Sequence, residues 1–169
     1  MQTWPQALSI GLAGVDEPGV LALLEELSAT LARLTGDTGA QSFSLDDLRT
    51  GGACLAVARD DRGRLWGCGA LRPLATEDGC VAMELKRMFA RAGTRGVGAA
   101  LLAFLEAEAL GRNVEVIRLS TRRVNERAVR FYRQHGYLPC APWGRYVGRE
   151  ASVCLEKRLQ WSASASPPA

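Results

Sequence analysis

The chain has 169 residues, 47% hydrophobic and 23% charged, and its 21 basic and 18 acidic side chains leave a net charge of +3. That composition suits one domain with its own core and excludes wholesale disorder, and the charge excess is too small to argue for nucleic acid. No apolar run is long enough for a membrane span, the first residues lack the basic start of a signal peptide, and the five cysteines show no CxxC pair; the expectation is a cytoplasmic protein with reduced thiols and no metal site.

Taken in order, residues 7–12 form a short apolar stretch that predicts a first strand. Asp16 is placed to cap the following helix with Pro18 in its first turn, and Val20, Leu23, Leu24, Leu27, Leu31 and Leu34 recur at helical spacing. Thr35 to Gly39 ends that helix, and Ser44 caps a short second one at 44–48. Residues 54–58 and 65–71 flank a polar turn and predict a hairpin. After a loop at 73–79, residues 80–90 predict a strand, followed by a glycine-rich turn and a helix to about Leu110. Residues 114–120 predict another strand, Asn125 opens a helix that stops at Gly136, and two strands near 137–138 and 151–159 close the fold. Residues 1–160 are expected to form one domain and 161–169 a flexible tail. Hairpins first and βαβ crossovers later give an α/β class with a mixed sheet and helices on its faces.

The centre of this arrangement is Arg95-Gly96-Val97-Gly98-Ala99-Ala100, between a strand and a helix. Glycines let the backbone approach a ligand closely, and the helix start adds unpaired N–H groups and the positive end of its dipole, a site for phosphate. A P-loop would require a lysine and a hydroxyl after the last glycine, where Ala99 and Ala100 stand. A Rossmann fingerprint would require a third glycine where Leu101 stands and an acidic residue at the end of the next strand, whereas Glu115 begins it.

A third pattern fits. The hexapeptide satisfies R/Q-x-x-G-x-G/A, and residues 125–137, from Asn125 to Tyr137, satisfy N-x-x-A-x-x-[FL]-Y-x-x-x-G-[FY]. With these two segments in this order, the chain resembles the GCN5-related N-acetyltransferases, the GNAT family. Residues 67–74, 84–89 and 152–157 extend the likeness to a bacterial small-molecule acetyltransferase branch, so that it covers most of 7–159. Ala92-Gly93-Thr94 departs from the proline-acid pair that many relatives carry there.

The resemblance implies the GNAT fold: a mixed, mostly antiparallel sheet whose parallel fourth and fifth strands splay apart, flanked by helices on both faces. It implies acetyl-CoA as co-substrate, with its pyrophosphate on Arg95, Gly96, Val97, Gly98, Ala99 and Ala100. Its pantetheine arm would lie along the backbone of Met88, Phe89 and Ala90, and near Asn125, Ala128 and Tyr132. A backbone N–H, that of Met88, would hold the thioester carbonyl. Tyr132 is the candidate acid for the departing sulfur, because a phenol stays protonated at neutral pH. Asn125 serves the pantetheine or caps its helix. Glu84 is the candidate base, four residues before Met88, and even spacing predicts both side chains on one face of the strand; an ion pair with Lys86 or Arg72 is the alternative. Arg72, Trp143, Arg145 and Tyr146 are candidates for the acceptor wall, and a guanidinium there would suit a carboxylate. The expected partner is a small-molecule amine, with no nucleic acid or membrane, acted on by a monomer or homodimer. A non-catalytic acyl-CoA-binding module and a Rossmann-type nucleotide-binding protein are the alternatives.

Overall fold

The computed structural model describes residues 7–160; the expected tail at 161–169 lies outside them. The elements are β1 (Leu8–Ala13), α1 (Val20–Thr35), a 3-10 turn at Ala40–Ser42, α2 (Leu45–Arg49), β2 (Cys54–Asp60), β3 (Leu65–Leu74), β4 (Ala82–Ala90), α3 (Val97–Gly111), β5 (Val116–Arg122), α4 (Glu126–Gln134), β6 (Leu138–Pro139), a 3-10 turn at Gly144–Tyr146 and β7 (Ser152–Arg158). Seven strands form one sheet in the order β1-β2-β3-β4-β5-β7-β6. Every adjacent pair is antiparallel except β4 and β5.

Strand alternation divides the apolar side chains between two layers. Cys54, Ala56, Ala58, Leu71, Met83 and Leu85 face α3 and α4, packing on Val97, Leu101, Leu102, Leu105, Ala109 and Tyr132. Leu55, Val57, Cys68 and Ala70 face the other way, onto Val20, Leu23 and Leu24 of α1 and onto Phe43. The expected mixed sheet, covered on both faces, is the one observed.

The boundaries differ in places with clear causes. Helix α1 starts at Val20 behind Gly19, whose φ of 85° is a left-handed conformation, so Pro18 lies outside the first turn. Asp16 does not cap it; its carboxylate pairs with Arg49 at 3.2 Å. Strand β3 continues through Pro73 because pairing with β2 ends at Cys54↔Leu71, leaving no neighbour on that side to require its N–H. Strand β5 starts two residues late, since the Val114 N–H closes the end of α3 by donating to the Ala109 carbonyl at 3.0 Å. Among the described residues no helix is long and apolar enough to cross a membrane.

Two glycines in β3 let the layers close over β4. A Cβ at Gly67 would stand 2.5 Å from the Phe89 carbonyl oxygen, and one at Gly69 would stand 2.4 Å from Met88 Sδ. Gly67→Ala therefore forces backbone apart and is expected to cost about 1–3 kcal/mol, or very roughly 2–10 °C in Tm. Gly11→Ala, where a Cβ meets nothing within 4 Å, should leave Tm nearly unchanged. Thermal unfolding of the two variants checks the difference.

Candidate active site

The site originates where the sheet opens. Strands β4 and β5 pair only at Ala82↔Val116, Met83↔Ile117 and Glu84↔Arg118, although both continue beyond. Their N-terminal ends are tied: the Glu115 N–H donates to the Val81 carbonyl, and the Val81 N–H to a Glu115 carboxylate oxygen, each at 2.8 Å. Glu115 thus clamps the closed end of a wedge. Beyond Glu84, the β5-facing edge of β4 has no strand partner, and a cavity of about 180 Å³ fills the gap. Leu85 to Met88, Leu119 to Arg122, Asn125, Ala128 and Tyr132 line it.

A β-bulge in β4 decides which side chains reach that cavity. The register to β3 runs Arg72↔Glu84, Leu71↔Leu85 and Ala70↔Lys86, then jumps to Cys68↔Phe89, so that Arg87 and Met88 together oppose Gly69. Arg87 takes a φ of 56°, uncommon for a residue with a side chain. The extra residue reverses the alternation. Glu84 and Lys86 stay on the α1 face, and Met88 turns to the α3 face and packs in that core. The expectation that Glu84 and Met88 share a face is therefore incorrect, because the spacing rule assumes an unbulged strand. Phe89 packs in the α1-side layer and Ala90 in the α3-side layer.

The two sequence motifs meet on the α3 face. Gly96 caps α3 in the left-handed conformation at φ 78°, with no side chain bonded to the first-turn N–H groups. Val97 is buried in the core and anchors that turn, and Arg95 and Ala100 are exposed. Helix α4 crosses close by: a Cβ at Gly98 would stand 3.5 Å from the Phe131 ring. Asn125 caps α4, its side-chain oxygen accepting the Ala128 N–H at 3.3 Å. Tyr132 is buried to 8% exposure and packs edge-on against Tyr137, with ring centroids 5.7 Å apart. Its hydroxyl has no side-chain hydrogen bond among the described residues, and Tyr132 is one of the residues that line the cavity. Burial pushes this phenol above its ordinary range and keeps it protonated.

On the α1 face the polar residues form one network. Glu84, only 2% exposed, accepts from Arg72 Nε at 3.0 Å and Nη2 at 2.8 Å on one oxygen. Its other oxygen accepts from the Tyr146 hydroxyl at 2.9 Å and lies 3.4 Å from Lys86 Nζ. Lys86 also donates to the Tyr146 hydroxyl at 2.8 Å and to Ser42 Oγ at 3.2 Å. Arg72 reaches onward to Asp47 at 3.1 Å, the residue whose carboxylate also accepts the Ser44 N–H at the start of α2. Two cations thus face two carboxylates, with the side chains of Glu84 and Lys86 buried and those of Arg72 and Asp47 partly exposed. Burial lowers the Lys86 ammonium from its ordinary value, against the opposing charge of Glu84. Burial and the charge of Glu84 push the Tyr146 phenol up.

Of the expected acceptor-wall residues, Tyr146 and Arg145 line the cavity; Arg145 is tethered by its guanidinium to the Gln41 carbonyl. Arg72 does not line it and stands behind Glu84, and Trp143 supports Tyr146 edge-on at 5.2 Å between ring centroids. Ser42, Phe43, Lys86 and Arg87 also line the cavity, and none of them was expected there from sequence. A signal existed: Lys86 and Arg87 are successive cations inside a buried strand, where at least one must face protein.

The profile of the Acetyltransferase (GNAT) family matches residues 21–137, the span holding both motifs and the opened strands. The chain belongs to this family. An "IAA acetyltransferase" of Azospirillum brasilense is 31% identical over 145 residues, covering 85% of this chain and 92% of that one. Among solved structures, this GNAT chain is similar to a ribosomal-protein-alanine N-acetyltransferase of Brucella melitensis, with a TM-score of 0.67, 25% identity and coverage of 89% and 99% of the two chains. It also shares its fold with a GNAT acetyltransferase of Elizabethkingia anophelis that has acetyl-CoA bound, with a TM-score of 0.66, 14% identity and coverage of 91% and 99%.

The buried network carries its own test. Glu84→Gln leaves Arg72 and Lys86 without their shared carboxylate and is expected to cost about 2–4 kcal/mol in urea unfolding. An unchanged midpoint would mean that the network does not hold this face together.

Proposed function

We propose that this GNAT protein moves the acetyl group of acetyl-CoA directly to the primary amine of a small molecule. The observation that carries the proposal is the wedge between β4 and β5, open beside a helix start that has no side-chain cap. Pyrophosphate meets the first-turn N–H groups of Val97, Gly98 and Ala99, with Gly96 giving close access and the exposed Arg95 adding charge. The pantetheine arm then runs into the wedge and pairs with the free edge of β4 at Met88, Phe89 and Ala90, past Asn125 and Ala128. Acetyl-CoA supplies an activated acyl group; binding, orientation and proton handling fall to the chain.

In this reading the amine nitrogen attacks the thioester carbonyl carbon, and the Met88 N–H stabilises the resulting oxyanion. The carbon–sulfur bond breaks as the carbon–nitrogen bond is completed. Tyr132 gives its proton to the departing sulfur, and the surplus proton of the amine leaves through water. No cysteine lines the wedge, which supports transfer in one step without an acyl-enzyme. Glu84, expected from sequence as the base, has both oxygens engaged and does not line the cavity. We assign it the positioning of Tyr146 and Lys86, with Arg72 holding it from behind. The acceptor approaches from the α1 side, against the wall that Tyr146, Arg145 and the 3-10 turn at Ala40–Ser42 form together.

Three kinetic outcomes test this. Tyr132→Phe should lower kcat about 100-fold while the affinity for acetyl-CoA stays within about twofold; unchanged turnover would remove Tyr132 as the acid. Because burial holds its phenol protonated, kcat should show no loss of acid catalysis up to about pH 10. Glu84→Gln should keep the shape of the rate–pH profile, as a positioning residue would; loss of its pH dependence would instead make Glu84 the proton acceptor.

A further inference from the structure

Arg87 has no role in the chemistry above, yet the fold goes to unusual lengths to place it. It is the inserted residue of the β4 bulge, held at φ 56°, where a side chain is strained. Its guanidinium lies 5.3 Å from the centroid of the Phe43 ring and donates from Nη1 to Ser28 Oγ at 3.3 Å and to the Thr38 carbonyl at 3.2 Å. These contacts fix its direction and leave its other donors uncommitted among the described residues.

The charges around the cavity do not cancel. Its lining holds Lys86, Arg87, Arg122, Arg145 and Arg149 against one carboxylate, Asp37. Asp37 is paired with Arg122 at 3.5 Å, and Lys86 is met by Glu84. Arg87, Arg145 and Arg149 then face the cavity with no carboxylate of the described residues at ion-pair distance. Burial depresses the Arg87 guanidinium from its ordinary value, against the more distant charge of Asp37. The phosphate-binding turn at Arg95–Ala100 does not line this cavity, so the excess is separate from the place assigned to the pyrophosphate.

Resting on the acetyl-transfer reading, we infer that the acceptor bears a carboxylate beside its amine and that Arg87 is the specificity residue that seats it, with Arg145 closing over the same group. A guanidinium pairs with a carboxylate through two parallel N–H donors, and in a half-buried place that pairing discriminates strongly against a neutral amide of the same shape.

The test is calorimetric and needs no turnover. N-acetylated amino acids with small, aromatic and basic side chains, and the matching C-terminal amides, are titrated into protein saturated with CoA. At least one acid should bind about tenfold or more tightly than its amide. Arg87→Gln should erase that difference, Arg87→Lys should retain part of it, and both should keep CoA affinity within about twofold of the wild type. Equal binding of every acid and amide, or a preference that survives in Arg87→Gln, overturns the inference; so does a tenfold loss of CoA affinity, which would make Arg87 a cofactor contact. Incubation with acetyl-CoA and the free amino acids separates the two readings. Carboxylate discrimination without CoA release would defeat the transfer reading while upholding the anion site.

Discussion

The site depends on one constraint: β4 cannot remain paired on both edges. It is hydrogen-bonded to β5 for three residue pairs and then released, and a bulge at Arg87 and Met88 bends it away on the β3 side. The clamp by Glu115 keeps the N-terminal ends together, so the separation becomes a wedge of fixed direction. Unpaired backbone in a sheet interior is expensive unless something fills it, and a ligand with amide groups along an extended arm is chemically suited to that edge. Gly69 makes the bulge possible: with no Cβ there, Met88 can turn into the α3 layer.

The two faces of β4 then divide the work. On the α3 face the strand presents backbone, the uncapped start of α3 and the Tyr132 hydroxyl, all suited to a cofactor. On the α1 face it presents Glu84, Lys86 and Arg87, and the network from Asp47 to Ser42 ties α2, β3, β4 and the 3-10 turns together. Breaking such a buried pair on one side is costly, so the network holds these elements in one arrangement. Tyr146 links that network to the late loop, so the loop residues Trp143 and Arg145 are placed from β4 as well.

Much of this was legible in the sequence. The helical spacing from Val20 to Leu34 and the paired motifs at 95–100 and 125–137 were enough for the element order, the parallel crossover and the sheet class. Asn125 at the start of α4 was readable from the residues, whereas Tyr132 entered as a site residue through the GNAT resemblance of residues 125–137. The bulge was not legible, because an inserted residue looks the same as any other in a strand, and a one-residue slip exchanges the faces. That is why Glu84 and Met88 were expected on one face. Glu84 was open to two readings in the sequence, since only burial and the distances to Arg72 and Tyr146 separate a free carboxylate from an engaged one. The Asp16 cap failed for a similar reason: Gly19 offered a left-handed turn that starts the helix later.

Hydrogen exchange of the backbone amides with and without CoA tests the central claim most directly. Binding should protect the amides of Met88, Phe89 and Ala90 on the free edge of β4, together with those of Val97, Gly98 and Ala99 at the start of α3. Protection of the α3 start alone, with β4 exchanging as before, would contradict the placement of the cofactor arm in the wedge.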